Sequence, residues 1–172
     1  RLEVVHFQLR PVFQENDDVY LVGRPEEIPV FLDWAFPGRP HVEKVVLAGG
    51  GGLGIPLAKE LERERIPLEL IEMDEDRANF IAGELNRTTV IRGNALSAET
   101  LAGCSLGPNV AFVASMGTEE NNIISCLLAR KYGAGKTIAQ VTDPDYVRII
   151  NSISNLDQAV STHLSMINAI LH

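Results

Sequence analysis

From Lys44 onward the chain alternates short apolar runs with amphipathic stretches. Runs of five or six residues, bounded by turn-forming residues, predict strands near 44–48, 68–72, 88–92, 109–114, 137–141 and 157–161. The segments between and after them predict helices near 53–65, 75–85, 97–103, 119–132, 143–153 and 163–172. In the helix at 119–132 the apolar period runs through Ile123, Ile124, Leu127 and Leu128, and Gly133 and Gly135 are its expected stops. Near-continuous apolar strands joined by helices require a parallel sheet with helices on both faces, because a parallel crossover returns over the sheet. Most crossovers should be right-handed. The expected fold class is therefore α/β, a doubly wound parallel sheet of the Rossmann type.

Residues 1–40 have a different texture. Leu2–Leu9 alternates loosely, Asp17 and Asp18 suit a turn, and Val19–Val22 suits a short strand. Arg24–Phe36 predicts a helix with Pro25 at its start and Pro29 as an imperfection. Pro37-Gly-Arg-Pro-His41 has the composition of a linker. The expectation is the tail of a small α+β domain over 1–40 and the doubly wound domain over 41–172. The chain opens on Arg1 and stops at His172 inside an apolar-periodic stretch, which predicts a piece of a longer polypeptide.

Composition narrows the function. The net charge of −8 excludes a nucleic-acid partner, which calls for a basic face. No apolar run approaches the ~20 residues that span a bilayer, and no secretory signal is present, so a cytoplasmic location is expected. Cys104 and Cys126 have no metal-type spacing and are expected to be buried. His6, His41, His163 and His172 lie in no metal or nucleophile motif, and Trp34 with Phe31 and Phe36 is expected to form a packing face.

The chemistry is concentrated in the run Lys44-Val-Val-Leu-Ala-Gly-Gly-Gly-Gly-Leu-Gly54. Gly49, Gly51 and Gly54 stand in G-x-G-x-x-G register after a predicted strand and before a predicted helix that carries Pro56 in its first turn. The next strand ends in Glu72, about 20 residues on. Each part has a physical task in holding a dinucleotide. The glycines allow a tight turn and a close approach to a pyrophosphate, the helix N-terminus offers N–H groups to that anion, and Glu72 accepts hydrogen bonds from a ribose diol. The charge of Glu72 disfavours a 2′-phosphate and so predicts NAD over NADP. A glycine-rich turn that binds nothing is the bland alternative.

Other residues gather at the predicted strand ends. Asp74 and Arg77 follow Glu72: Arg77 would lie near the adenine or a phosphate, or else both merely serve a helix N-terminus and solvent. Asn94, after the third strand, would meet an adenine edge, or else forms a turn before a helix capped by Ser97. Met116 and Gly117 follow the fourth strand, across the crevice from Glu72. Thr118 suits an N-cap with Asn121 or Asn122 in the first turn, and Glu119 and Glu120 suit surface acids facing the helix dipole.

Together these stretches resemble the TrkA family, the regulatory subunit of bacterial Trk-type potassium uptake systems, with its RCK (KTN) nucleotide-binding domains. The resemblance rests on the glycine run, Leu70-Ile-Glu-Met-Asp-Glu-Asp-Arg77, Gly93-Asn-Ala95, Thr118-Glu-Glu-Asn-Asn-Ile123, Val141-Thr-Asp-Pro-Asp-Tyr146 and Asn155-Leu-Asp-Gln-Ala-Val-Ser161. Val19-Tyr-Leu-Val-Gly-Arg-Pro-Glu-Glu27 is similar to the end of the family's C-terminal lid domain (RCK-C). It implies an RCK-C tail followed by an RCK-N Rossmann domain. It also implies that Gly49, Gly50, Gly51, Gly52, Leu53 and Gly54 hold a pyrophosphate, with Glu72 on the ribose and Met116, Gly117 and Gln140 lining the nucleotide. Two departures stand out: Asn94 where such proteins often carry Asp, and Met116 where they often carry Thr.

The function so implied is a cytoplasmic, NAD(H)-sensing regulatory subunit, with ATP or ADP as other ligands. It would not be an enzyme. It would lie at the inner face of the membrane through a potassium-translocating partner of the TrkH/TrkG type, and self-associate into a dimer or tetramer ring. The rival expectations are an NAD-dependent oxidoreductase domain and an oligomerisation domain with a vestigial crevice.

Overall fold

A computed structural model describes residues 23–24, 26–35, 41–143 and 157–161. The chain divides into two units, residues 1–39 and 40–172. In the first unit, helix α1 spans Ile28–Ala35. It begins four residues later than the sequence predicts, because the carbonyl of Arg24 closes a turn by accepting from the amides of Glu27 and Ile28 at 2.9 and 3.2 Å. Pro29 therefore falls in the first turn, where an amide has no intrahelical acceptor, and it does not interrupt the helix. Phe31 and Trp34 pack ring against ring at 5.8 Å. The expected strands at 2–9 and 19–22 and the helices at 143–153 and 163–172 lie outside the described residues, as does most of the linker.

The second unit is built on six strands. In chain order they are β1 Lys44–Ala48, β2 Leu68–Glu72, β3 Thr89–Arg92, β4 Val110–Ala114, β5 Lys136–Val141 and β6 Gln158–Ser161. Between them run α2 Gly54–Arg63, α3 Glu75–Glu84, α4 Ala98–Gly103 and α5 Glu119–Lys131. All strand pairs are parallel, in the order β3-β2-β1-β4-β5-β6. The expected doubly wound sheet is thus present, with its order reversing between β1 and β4.

The period-2 geometry of a strand divides the core. Val45 and Leu47 of β1 face one way, into a cluster with Leu57 and Leu61 of α2 and Ile81 of α3. Val46 and Ala48 face the other way, towards Leu101 of α4 and Cys126 and Ala129 of α5. Every residue of β4 is buried, as a central parallel strand covered on both faces requires. Edge strand β3 exposes Thr89 and Arg92.

One expectation fails on α5. The buried side carries Asn122, Ser125, Cys126 and Ala129, while Ile124 and Leu127 of the predicted apolar face are 48% and 36% exposed. Ile123 and Leu128 pack only partly against the core. Small side chains let the helix lie close on Ala114 of β4 and Ala139 of β5 in the same cluster, so size outweighed hydrophobicity in choosing the inner face. At its end Gly133 takes φ +102°, which bears it out as a stop, whereas Gly135 lies beyond the helix and approaches the Pro108 carbonyl so closely that a Cβ would lie 1.7 Å from it, a packing need.

Candidate functional site

The strand order reverses between β1 and β4, and there the loops leaving the carboxyl ends diverge and leave a crevice. Main-chain bonds tie its floor together. Gly49 N–H donates to the Ile71 carbonyl at 2.9 Å, Gly93 N–H to the Glu72 carbonyl at 2.9 Å, and Ser115 N–H to the Ala48 carbonyl at 2.8 Å. The crevice holds about 460 Å³. Of the predicted residues, Gly49, Gly50, Gly51, Glu72, Arg77, Asn94, Met116 and Gly117 line it. Gly52, Leu53, Gly54, Asp74 and Gln140 are not part of that lining.

The glycine cluster separates into two groups by what a side chain would meet. At Gly49, φ is +103° and a Cβ would lie 2.8 Å from the Ser115 carbonyl oxygen. At Gly50 it would strike Ile81 Cδ1 at 2.1 Å, and at Gly54 the Gly49 carbonyl oxygen at 2.0 Å. Packing alone explains these three. Gly51 and Gly52 differ: a Cβ on Gly51 finds nothing nearer than the Ser115 carbonyl oxygen at 4.0 Å, and one on Gly52 meets nothing within 4 Å. Neither has a left-handed φ. The protein's own packing therefore gives no reason for glycine at either position. The amides of Gly51, Gly52 and Leu53 have no protein acceptor among the described residues, and Leu53, the residue before α2, supplies no side-chain cap. This is a loop of free N–H groups at a helix N-terminus, the electrostatic form of an anion site.

Glu72 stands beside the loop, with its carboxylate held from three sides. Oε2 accepts from Gly50 N–H at 3.0 Å, and Oε1 accepts from Met73 N–H at 2.8 Å and Asp74 N–H at 3.1 Å. These bonds aim the group and leave one acceptor site, on Oε2, for a ribose hydroxyl. Asp74 is the N-cap of α3, accepting from Arg77 N–H at 2.8 Å, so its carboxylate is turned to the helix. Arg77 donates from Nε and Nη2 to the Gly50 carbonyl at 2.9 and 2.6 Å. That contact fixes the glycine loop and holds a positive guanidinium at the crevice wall.

The opposite wall follows β4. Asn122 is 2% exposed and joins three segments: its Oδ1 accepts from Met116 N–H at 2.7 Å and its Nδ2 donates to the Gln140 carbonyl at 2.9 Å. Gln140 thus joins this network through its main-chain carbonyl, outside the lining. Thr118 caps α5 as expected, accepting from Asn121 N–H at 3.3 Å. Glu119 accepts from the amides of Thr142 and Asp143 at 2.8 and 3.2 Å and so closes the end of β5. At the β3 end Asn94 forms the turn before α4, its Oδ1 accepting from Leu96 N–H at 2.9 Å, and Ser97 makes no side-chain cap bond.

Sequence reasoning missed Ile71, Met73, Gly93, Leu96, Ser115 and Asn121, which also line the crevice. Ile71, Met73, Gly93 and Ser115 lie one residue from a strand end, which is the signal that would have found them; Leu96 and Asn121 lie further along their loops and helices. Burial pushes the thiol of Cys104 up, and that of Cys126 far up, so both are inert core groups. No cluster of three or more His, Cys, Asp or Glu able to hold a metal occurs among the described residues. None of their helices is long and apolar enough to cross a membrane.

Sheet order, glycine loop and acid-ended β2 define the class: a doubly wound domain of the Rossmann type with its crevice at the switch point. Within that class the chain belongs to the TrkA-N domain family, whose model matches residues 45–162. The Trk system potassium uptake protein TrkA of Vibrio alginolyticus is 28% identical over 93% of this chain and 34% of its own length. The chain spans about a third of the length of the curated relatives it matches first. Among solved structures, the TrkA-N domain of the inner membrane protein ybaL from Escherichia coli aligns with a TM-score of 0.61 at 20% identity, covering 76% of this chain and 95% of that one. A GsuK channel bound to NAD aligns with a TM-score of 0.59 at 18% identity, covering 77% of this chain and 25% of that one. At such identities these two likenesses speak for the fold alone.

Proposed function

We propose that the crevice binds a nucleotide with a pyrophosphate, NAD(H) or an adenine nucleotide such as ADP or ATP, and that the domain is a sensor of it rather than an enzyme. The observation that carries this reading is the pair Gly51 and Gly52, which no packing among the described residues requires, beside three amides without a protein acceptor among those residues. A pyrophosphate accounts for both features. Glu72 takes the adenosine ribose, Arg77 balances phosphate charge, and Met116 and Gly117 form the opposite wall. In the terms of its relatives, the domain is part of a regulatory subunit of a potassium uptake system. It lies at the cytoplasmic face of a TrkH/TrkG-type membrane partner and assembles into a dimer or tetramer ring. The exposed Ile124 and Leu127 on the outer face of α5 favour self-association.

Sensing then has a simple thermodynamic form. The ligand shifts the assembly only by its difference in affinity between two arrangements. Glu72 and Met116 belong to opposite halves of the sheet, so a ligand that spans them favours whichever arrangement keeps them at this spacing. Calorimetric titration with NADH, NAD, ADP and ATP is the test. Saturable binding by at least one is expected, and no binding by any of the four removes the proposal.

A further inference from the structure

We propose that Arg77 is a positioning residue for the anion site: it holds the Gly50–Gly51 peptide so that Gly51 N–H faces the phosphate, and without it that peptide turns over and presents an oxygen instead. The inference rests on the reading of the crevice as a nucleotide site, and it goes beyond the charge that Arg77 brings there.

The neighbouring peptides of the loop are fastened by other means. Gly49 N–H donates to the Ile71 carbonyl at 2.9 Å, Gly50 N–H to Glu72 Oε2 at 3.0 Å, and the Gly51 carbonyl accepts from Ile55 N–H at 3.3 Å. The Gly50–Gly51 peptide differs. Its carbonyl accepts from Arg77 Nε and Nη2 at 2.9 and 2.6 Å, and its N–H has no acceptor among the described residues. Arg77 is thus its one hydrogen-bond partner among them. A trans peptide is planar, with C=O and N–H opposed, and no cis bond occurs among the described residues. The guanidinium that draws this carbonyl towards α3 therefore turns Gly51 N–H away from α3, to a side where no protein acceptor lies.

Glycine stands on both sides of this peptide, so a half-turn about ψ of Gly50 and φ of Gly51 reaches conformations that side chains forbid. Gly51 now has a φ outside the left-handed region, and a Cβ there would find only the Ser115 carbonyl oxygen, at 4.0 Å. In the turned form one of the three free amides is lost to the anion and a carbonyl dipole opposes it. Two bonds from Arg77 to one oxygen weigh against that form. A lysine ammonium keeps the charge but not the planar fork that delivers both.

The test titrates the wild-type chain, Arg77→Met and Arg77→Lys with NADH, NAD, ADP and ATP by calorimetry. Arg77 is an exposed side chain, so the melting temperature should hold in both variants. For the nucleotide that binds the wild type most tightly, Arg77→Met should weaken binding about ten- to hundredfold, the worth of a hydrogen bond to a charged group. Arg77→Lys should recover less than half of that loss on a logarithmic scale. A crystal structure of ligand-free Arg77→Met should show the Gly50 carbonyl turned to the side that Gly51 N–H faces in the wild type. Wild-type affinity in Arg77→Lys would mean that charge alone is at work and overturns the proposal, as does an unturned peptide in Arg77→Met. Binding of none of the four nucleotides to the wild type removes the crevice reading as well, a result distinct from binding that survives the loss of Arg77.

Discussion

Substituting Gly51 separates ligand binding from folding more cleanly than any other change in the crevice. Its φ is not left-handed, and a Cβ there lies 4.0 Å from the nearest non-neighbouring atom, the Ser115 carbonyl oxygen. Gly51→Ala therefore strains nothing, and by restricting the unfolded chain it should stabilise the fold by about 0.4–1 kcal/mol. Gly51→Asp places a carboxylate against the free amides, where the pyrophosphate is to lie. Two unit charges about 4 Å apart repel by roughly 4 kcal/mol at an effective dielectric constant of 20. The crevice is open to solvent, so a discount to roughly 2–3 kcal/mol is apt, which weakens binding about thirty- to hundredfold. Gly54→Ala is the contrasting control. Its Cβ would fall 2.0 Å from the Gly49 carbonyl oxygen, so it should cost the fold roughly 1–3 kcal/mol or more through overpacking. Urea denaturation and calorimetry with NADH or ADP on the same preparations give both quantities. Wild-type affinity in a folded Gly51→Asp chain would refute the argument that this loop holds the phosphates.

Three further predictions concern the frame. Asn122→Ala leaves the Met116 amide and the Gln140 carbonyl without their side-chain partner in a buried place and should cost about 2–3 kcal/mol in a urea melt; a cost under half of that contradicts its bridging role. Glu62, near the end of α2, accepts from the amides of Asn86 and Arg87 and the Thr88 hydroxyl. Desolvation raises its pKa, but the bonds from Arg87, Thr88 and Asn86 outweigh it and hold the carboxyl below its usual 4.5. A lowered folded-state pKa stabilises above the unfolded value and is lost as pH falls through the folded one. Glu62→Ala should therefore cost about 1–2 kcal/mol at pH 7, and its difference from wild type should shrink as the pH drops below 4.5; a pH-independent difference speaks against the charge. Lastly, Cys104 and Cys126 should resist a thiol-disulfide reagent at neutral pH until the chain is unfolded, and prompt labelling of both in the native state would contradict their burial.

The sheet was legible in the sequence because β4, and β1 after Lys44, are buried on both faces and must be apolar at every such position, a signal independent of neighbouring elements. The glycine register and Glu72 were legible for a similar reason: the turn and helix start follow from Lys44–Ile55, and the strand end from the short apolar run Leu68–Glu72. The inner face of α5 was not, since it depends on how close β4 and β5 allow the helix to come, and that favours Ser125 and Ala129 over Ile124 and Leu127. Nor did spacing say which of the adjacent residues Asn121 and Asn122 faces the crevice and which the core; the structure places Asn121 in the lining and buries Asn122. Gly50 illustrates the same limit. Its reason is Ile81, which lies on another helix, 31 positions away by residue number, and no local pattern brings the two together.

A crystal structure of the chain grown with NADH is the most direct measurement of the central claim. Electron density for the pyrophosphate within hydrogen-bond distance of the Gly51, Gly52 and Leu53 amides, with the adenosine ribose on the Glu72 carboxylate, is the predicted result. Density for NADH elsewhere on the chain, with those three amides facing only solvent, would contradict it.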